Sequence, residues 1–221
     1  PGAKPSSEWQ HSAHVPLHAA SASGTDRMKT SAELKQDIVF DATLRGHRLT
    51  FHSTWGLFSP RSIDNGSYLL IEHIDVRDGQ WTLDLGCGYG AMGLAIAKAC
   101  PGGMVHMVDT DFVAVDFAKK NAELNALANC TAYLSNAFSA VGDIRFDNII
   151  ANLPAKVGKE LLYIILSDAR EHLKPGGQLV VVTISGLKEF IKRNFKEVFG
   201  NYEKLKQGRE HAVFRAVKEH V

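Results

Sequence analysis

The stretch with the clearest chemistry is "LDLGCGYGAMG", residues 83–93. It parses in two ways, and the parses take different ligands. Counted from Gly88 it is G-x-G-x-x-G, the spacing of a dinucleotide loop; counted from Asp84 it is D-x-G-x-G-x-G, through Gly86, Gly88 and Gly90. In both, glycines permit a tight turn after a strand and close approach of a ligand to the backbone. A dinucleotide brings an anionic pyrophosphate, which needs bare amides at a helix N-terminus. S-adenosylmethionine brings no phosphate. It carries an ammonium and a sulfonium, which a carboxylate at the strand end, Asp84, would help to hold.

Two further stretches bear on the choice. Asp109, in "MVDTD", closes the next strand, where a carboxylate can accept both ribose hydroxyls of either cofactor or cap the following helix. In "FDNIIANLPAK", Asn152-Leu153-Pro154-Ala155 follows a strand. An Asn-x-Pro turn there has no purpose in a dehydrogenase, but it resembles the turn that amino-group methyltransferases place beside the methyl donor. With Asp84, it decides the loop for S-adenosylmethionine.

The elements that must position these residues alternate. From Trp81 the order is strand "WTLDL", helix "AMGLAIAKAC", strand "MVHMVD", helix "FVAVDFAKKNAELNAL", strand "CTAYLSN", strand "FDNIIAN", helix "GKELLYIILSDAREHL", strand "GQLVVVTI" and helix "LKEFIKRNFKEVF". Apolar strands between amphipathic helices predict an α/β, doubly wound, mostly parallel sheet covered on both faces. "YEKLKQ" and "HAVFRAV" add a terminal antiparallel hairpin and bring the sheet to seven strands. Upstream, "DIVFDATLRGHRLTFHST" reads as a small N-terminal β-hairpin around Arg45-Gly46. "SIDNGSYLLIEHI" has helical spacing, with Asp64 or Ser67 as N-cap. Residues 1–33, rich in Pro, Ser, Gly, Ala and His, predict a loose tail, part of it vector-derived or a trimmed leader, and residues 34–221 a single domain.

Composition narrows the class. A chain of 221 residues, 45% hydrophobic, can bury one substantial core. Cys87, Cys100 and Cys130 are odd in number and lack C-x-x-C spacing, so neither a disulfide framework nor a zinc site is indicated, and a cytoplasmic location is expected. No apolar run of about 18 residues or signal pattern points to a membrane or to export. His11, His14 and His18 have no helical context that would make them metal ligands; no metal is expected. A net charge of +1 demands no strongly electrostatic nucleic-acid partner. After Gly186, however, bases outnumber acids, and Lys188, Lys192, Arg193 and Lys196 share a stretch that is either a solvated helix face or a phosphate contact.

From about residue 38 onward the chain resembles the small-domain methyltransferase family that includes the bacterial ribosomal RNA guanine-N2 methyltransferases. The resemblance rests on "GLFSPRSIDNGSYLL", "LDLGCGYGAMGLAIAK", "SNAFSAV" and "FDNIIANLPA" in that order. It implies a Rossmann-like methyltransferase fold and S-adenosylmethionine as cofactor. Asp84, Gly86, Gly88 and Gly90 would surround its methionine part, Asp109 the ribose, and Asn136 the adenine amine, with Phe138 lining the adenine pocket or simply filling the core. Phe58, Ser59, Asp64, Gly66 and Ser67 would form a lid over the cofactor. Asn152, the Leu153 carbonyl and Pro154 would hold an exocyclic amine of guanine in ribosomal or transfer RNA. The chain departs from the family at Leu153, in place of a proline, and at Ala155, in place of an aromatic residue that stacks on the base. Two alternatives therefore stand: a protein side-chain amide or small-molecule amine as acceptor, and a non-catalytic cofactor-binding subunit.

Overall fold

The computed structural model describes residues 29–154 and 158–219. The first 28 residues, with His11, His14 and His18, lie outside the described residues, as does Ala155. Thr30 opens a one-turn helix, α1 (Ser31–Leu34), through a capping box: its hydroxyl accepts from Glu33 N, and the Glu33 carboxylate accepts from Thr30 N. The boundary expected at residue 33 thus falls within a capped turn. Its signal was the T-x-x-E spacing, not a hydrophobic period.

Strands β1 (Ile38–Leu44) and β2 (His47–Ser53) form the expected hairpin, closed by the pair Leu44 and His47. Arg45 and Gly46 both have positive φ, 49° and 77°, as a two-residue turn matched to strand twist requires. Helix α2 (Asn65–His73) starts at Asp64, whose carboxylate accepts from Gly66 N at 2.9 Å and Ser67 N at 3.1 Å. Asp64 is therefore the cap, and Ser67 is free for another partner.

The main sheet takes β3 (Trp81–Leu85), β4 (Met104–Asp109), β5 (Cys130–Leu134), β6 (Phe146–Asn152), β7 (Leu173–Ile184), β8 (Glu203–Gln207) and β9 (His211–Val217), in the order β5-β4-β3-β6-β7-β9-β8. Pairs from β5 to β7 are parallel, and β9 runs antiparallel to both β7 and β8. Helices α3 (Ala91–Ala99), α4 (Phe112–Leu124), α5 (Lys159–His172) and α6 (Lys188–Phe199) are the crossovers. β7 starts earlier than its apolar run, and its register with β6 shifts between Phe146 and Asn148.

The side-chain alternation of the strands feeds two cores. Met107 packs with Leu70, Leu94, Ile96 and Val115 on the face of α2, α3 and α4. Its neighbour Val108 packs with Leu162, Leu166, Ile191 and Phe195 under α5 and α6. The hairpin belongs to the first core through Leu44, Leu49 and Phe51. Two asparagines at the end of α4 dock it: Asn125, its C-cap, bonds both backbone groups of Thr50, and buried Asn121 bonds both of His52. Strand order reverses between β3 and β6, which opens a crevice at the carboxyl ends of the strands, where α/β sheets bind ligands. Among the described residues no helix is long and apolar enough to cross a membrane.

Candidate active site

At that crevice the loop after β3 folds back on β4. Gly86 N and Cys87 N both donate to the Val108 carbonyl, at 2.9 and 3.0 Å, and Gly88 N donates to Asp109 Oδ2 at 2.9 Å. Gly86, Gly88 and Gly90 all take positive φ, a region costly for residues with a Cβ, so the glycine spacing is a backbone requirement. Asp109 Oδ1 accepts from Asp111 N at 3.0 Å, and Asp111 caps α4 by accepting from Val113 N. The helix-cap alternative for Asp109 is thereby excluded. Each Asp109 oxygen holds one backbone amide and keeps a lone pair for a ligand hydroxyl.

Asp84 is fully buried beneath this loop. Its Oδ2 accepts from Gly93 N at 2.7 Å, and its Oδ1 is buried without a hydrogen-bond partner among the described residues. Burial pushes its carboxyl up to about 7, against the lowering effect of the Gly93 bond, and Asp109 adds a smaller rise. Gly93 lies in the first turn of α3, so Asp84 occupies one of the free helix amides a pyrophosphate would use.

A cavity of about 390 Å³ opens here, its wall including Phe58, Asp64, Ser67, Gly86, Gly88, Asp109, Asp111, Asn152 and Pro154. Asp64, Asp109 and Asp111 contribute carboxylates, and no lysine, arginine or histidine is among the lining residues. Such a wall opposes a dinucleotide pyrophosphate and suits a cationic ligand carrying ribose hydroxyls. With the orphaned Asp84 oxygen below it, the residues present fit S-adenosylmethionine. The thiol of Cys87, also in the wall, is buried, and that burial and then Asp84 and Asp109 push it well above its ordinary range, so it is no nucleophile.

Asn152, the last residue of β6, donates from Nδ2 to Asp64 Oδ1 at 3.2 Å and to Ser67 Oγ at 3.1 Å. Both amide hydrogens are then committed, and Oδ1 is the atom left for a ligand. Leu153 N continues the ladder to the Val182 carbonyl at 2.9 Å; its side chain is buried, while Pro154 faces the cavity.

The other expected residues are placed unevenly. Phe58, 71% exposed, lines the cavity. Ser59 does not line it; with φ 47° it holds its own loop by donating to the Ser62 carbonyl. Gly66 packs against the His211 ring, and Gly90 starts α3. Asn136 is exposed after β5 and is not in the cavity wall, and Phe138 is buried against His172 with ring centroids 4.6 Å apart. Asn121 and Tyr89 had no reading in the sequence. The Tyr89 hydroxyl donates to the Ser59 and Ser62 carbonyls, and Asn121 Nδ2 donates to the Tyr89 carbonyl, so one chain of bonds joins hairpin, glycine loop and the 54–62 loop. A polar residue on the inward stripe of α4 was the available signal for Asn121.

A doubly wound sheet with a carboxylate-lined cavity at its switch point, walled by Asn152 and Pro154 at the end of β6, defines a class I S-adenosylmethionine-dependent methyltransferase domain. The family model "Methyltransferase small domain" matches residues 48–215, and the chain belongs to that family. An uncharacterized Bacillus subtilis protein, YbxB, is 34% identical over 181 residues, 79% of this chain and 89% of its own length. Ribosomal RNA small subunit methyltransferase C of Haemophilus influenzae is 34% identical over 155 residues, covering 67% of this chain and 46% of its own. The T. thermophilus 16S rRNA N2 guanosine methyltransferase RsmC, solved with AdoMet and guanosine, superposes with a TM-score of 0.76 at 32% identity, over 83% of this chain and 51% of that one. The chain spans about half the length of these ribosomal RNA methyltransferases.

Proposed function

We propose that this domain methylates the exocyclic N2 amine of guanine in ribosomal or transfer RNA, in the cytoplasm, where its free cysteines would persist. The observation that carries this reading is the placement of Asn152, fixed by Asp64 and Ser67, in one cavity with the glycine loop and Asp109. When bound, S-adenosylmethionine supplies an electrophilic methyl: a nitrogen–carbon bond forms as the carbon–sulfur bond breaks, and a neutral thioether leaves. The residues present have only to position the reactants in line. Asp109 would accept the ribose hydroxyls, and Gly86 and Gly88 would line the cationic end, with Asp84 buried behind the loop and outside the cavity wall. Asn152 Oδ1 and the Leu153 carbonyl accept from the amine, drawing its lone pair out of conjugation and toward the methyl carbon. A neutral amide is no base at this pH, so the proton released on methylation goes to solvent.

The similarity to RNA methyltransferases supports RNA over other acceptors. One observation favours a second reading, a protein amide or small amine: residue 155 is Ala, not an aromatic ring. Radiolabelled methyl transfer to total RNA, total protein and a metabolite extract, with the RNA digested to nucleosides, separates these. Label on N2-methylguanosine supports the proposal, label elsewhere replaces the acceptor, and silence in all three indicates a non-catalytic cofactor-binding subunit.

A further inference from the structure

We infer that a second cleft, between the first turn of α2 and the β8–β9 turn, binds the nucleotide next to the methylated one in a single-stranded stretch of RNA. The inference rests on the RNA reading above. The topology brings this cleft to the site: Ile184 pairs with His211 and Gln207 with Ala212, so the β8–β9 turn stands at the same sheet edge as the glycine loop and Asn152. The turn is braced, with Ser185 N donating to the Glu210 carbonyl at 2.9 Å and Gly208 N to the His211 carbonyl at 2.8 Å. It meets α2 closely because a glycine stands on each side of the contact, Gly66 in α2 and Gly208 in the turn. A Cβ on Gly66 would stand 3.0 Å from the His211 ring, and one on Gly208 3.1 Å from Leu69.

Between them lies a cavity of about 340 Å³ lined by Asn65, Tyr68, Leu69, Arg209, Glu210 and His211. Asp64 and Ser67 face the cofactor cavity while their neighbours Asn65 and Tyr68 face this one, so the first turn of α2 is the wall between them. A strand that places one base against Asn152 passes over this wall with its next base.

The lining has the chemistry for that base. Tyr68 is 48% exposed, and among the described residues its hydroxyl has no hydrogen-bond partner and its ring no aromatic neighbour, which leaves a π-face for stacking. The Asn65 amide donates and accepts, and the Glu210 carboxylate accepts from a base amine, so the cleft is not a bare anion site. Arg209, exposed and without an ion-pair partner among the described residues, is placed for the phosphate, and Lys204 and Lys206 continue the positive charge along the exposed edge strand β8. The basic residues of α6 are less well placed. That helix leaves the site edge at Lys188 and runs away from it, so Lys192, Arg193 and Lys196 lie progressively farther off.

The test uses Tyr68→Leu, Tyr68→Phe and Arg209→Ala in the whole chain, with methyl transfer to total RNA, salt titrations, and calorimetry of S-adenosylhomocysteine. Tyr68→Leu should raise KM for RNA about tenfold with kcat and cofactor affinity unchanged, and Tyr68→Phe should restore the parent value. Arg209→Ala should weaken RNA binding and flatten its salt slope by about one unit. If the parent methylates RNA and both Tyr68→Leu and Arg209→Ala match it, the subsite is wrong and the RNA reading stands. Loss of cofactor affinity in Tyr68→Leu would assign the effect to the fold of α2 and overturn the inference. A parent that methylates protein or a small amine, and not RNA, would overturn both.

Discussion

Replacing Asn152 by alanine separates catalysis from folding, because its contacts can be counted. The amide gives two hydrogen bonds, to Asp64 and Ser67, and nothing else among the described residues. Asp64 Oδ1 keeps its bonds from Gly66 N and Ser67 N in the variant, so no buried carboxylate is stranded. At about 0.5–1.5 kcal/mol net per bond, the stability loss should be about 1–3 kcal/mol, a Tm drop of about 2–12 °C for a domain of this size. Turnover should fall by at least about a hundredfold, the effect of removing a positioned transition-state hydrogen bond, or about 2.7 kcal/mol of barrier. Ser67→Ala, which removes one of the two bonds orienting the amide, should show a smaller loss in kcat with KM for the cofactor unchanged. Single-turnover methyl transfer, thermal melting and calorimetry of S-adenosylhomocysteine give the three quantities. An Asn152→Ala protein that has lost cofactor affinity, or that melts more than about 12 °C early, would refute the catalytic assignment and make the residue a brace for α2.

Asp109→Ala should weaken S-adenosylmethionine by about 2–4 kcal/mol, since it removes the ribose acceptor and the partner of Gly88 N, and NAD should bind less tightly than S-adenosylmethionine to the parent; calorimetry with both ligands checks this. Gly93→Ala should destabilise the fold by about 1–3 kcal/mol in urea melts, because its new Cβ would stand 2.5 Å from the Cγ of fully buried Met107. The Asp84 carboxyl, at about 7 when folded against 3.8 in its reference state, binds more protons in the folded chain between those values. Its contribution to stability is therefore full below about pH 4 and is lost as pH rises through 7. Asp84→Asn, measured against the parent by urea unfolding from pH 4.5 to 7.5, should remove that slope; parallel profiles would show that Asp84 does not titrate there.

The local features of this protein were legible in its sequence because they follow from backbone geometry and periodicity. Positive φ at Gly86, Gly88 and Gly90 is imposed by the turn itself, and the alternation of strands and amphipathic helices is imposed by burying both sheet faces. The Arg45-Gly46 hairpin is fixed by the turn it must make. Relations between distant segments were not legible. That Asp64, read as a helix cap, also holds Asn152 across 88 positions, and that Asp84 blocks an α3 amide while Asp109 leaves the cap of α4 to Asp111, depend on which strand ends meet at the switch point. Asn121 and Asn125 belong to the same class, since a docking partner 69 or 75 residues away leaves no trace in local pattern. The basic residues show the limit most plainly. In the sequence the basic residues from Lys188 to Lys196 form a cluster, yet a helix has direction, and only the packing of α6 on β9 and α5 decides that it leads away from the site while the turn at Arg209 lies beside it.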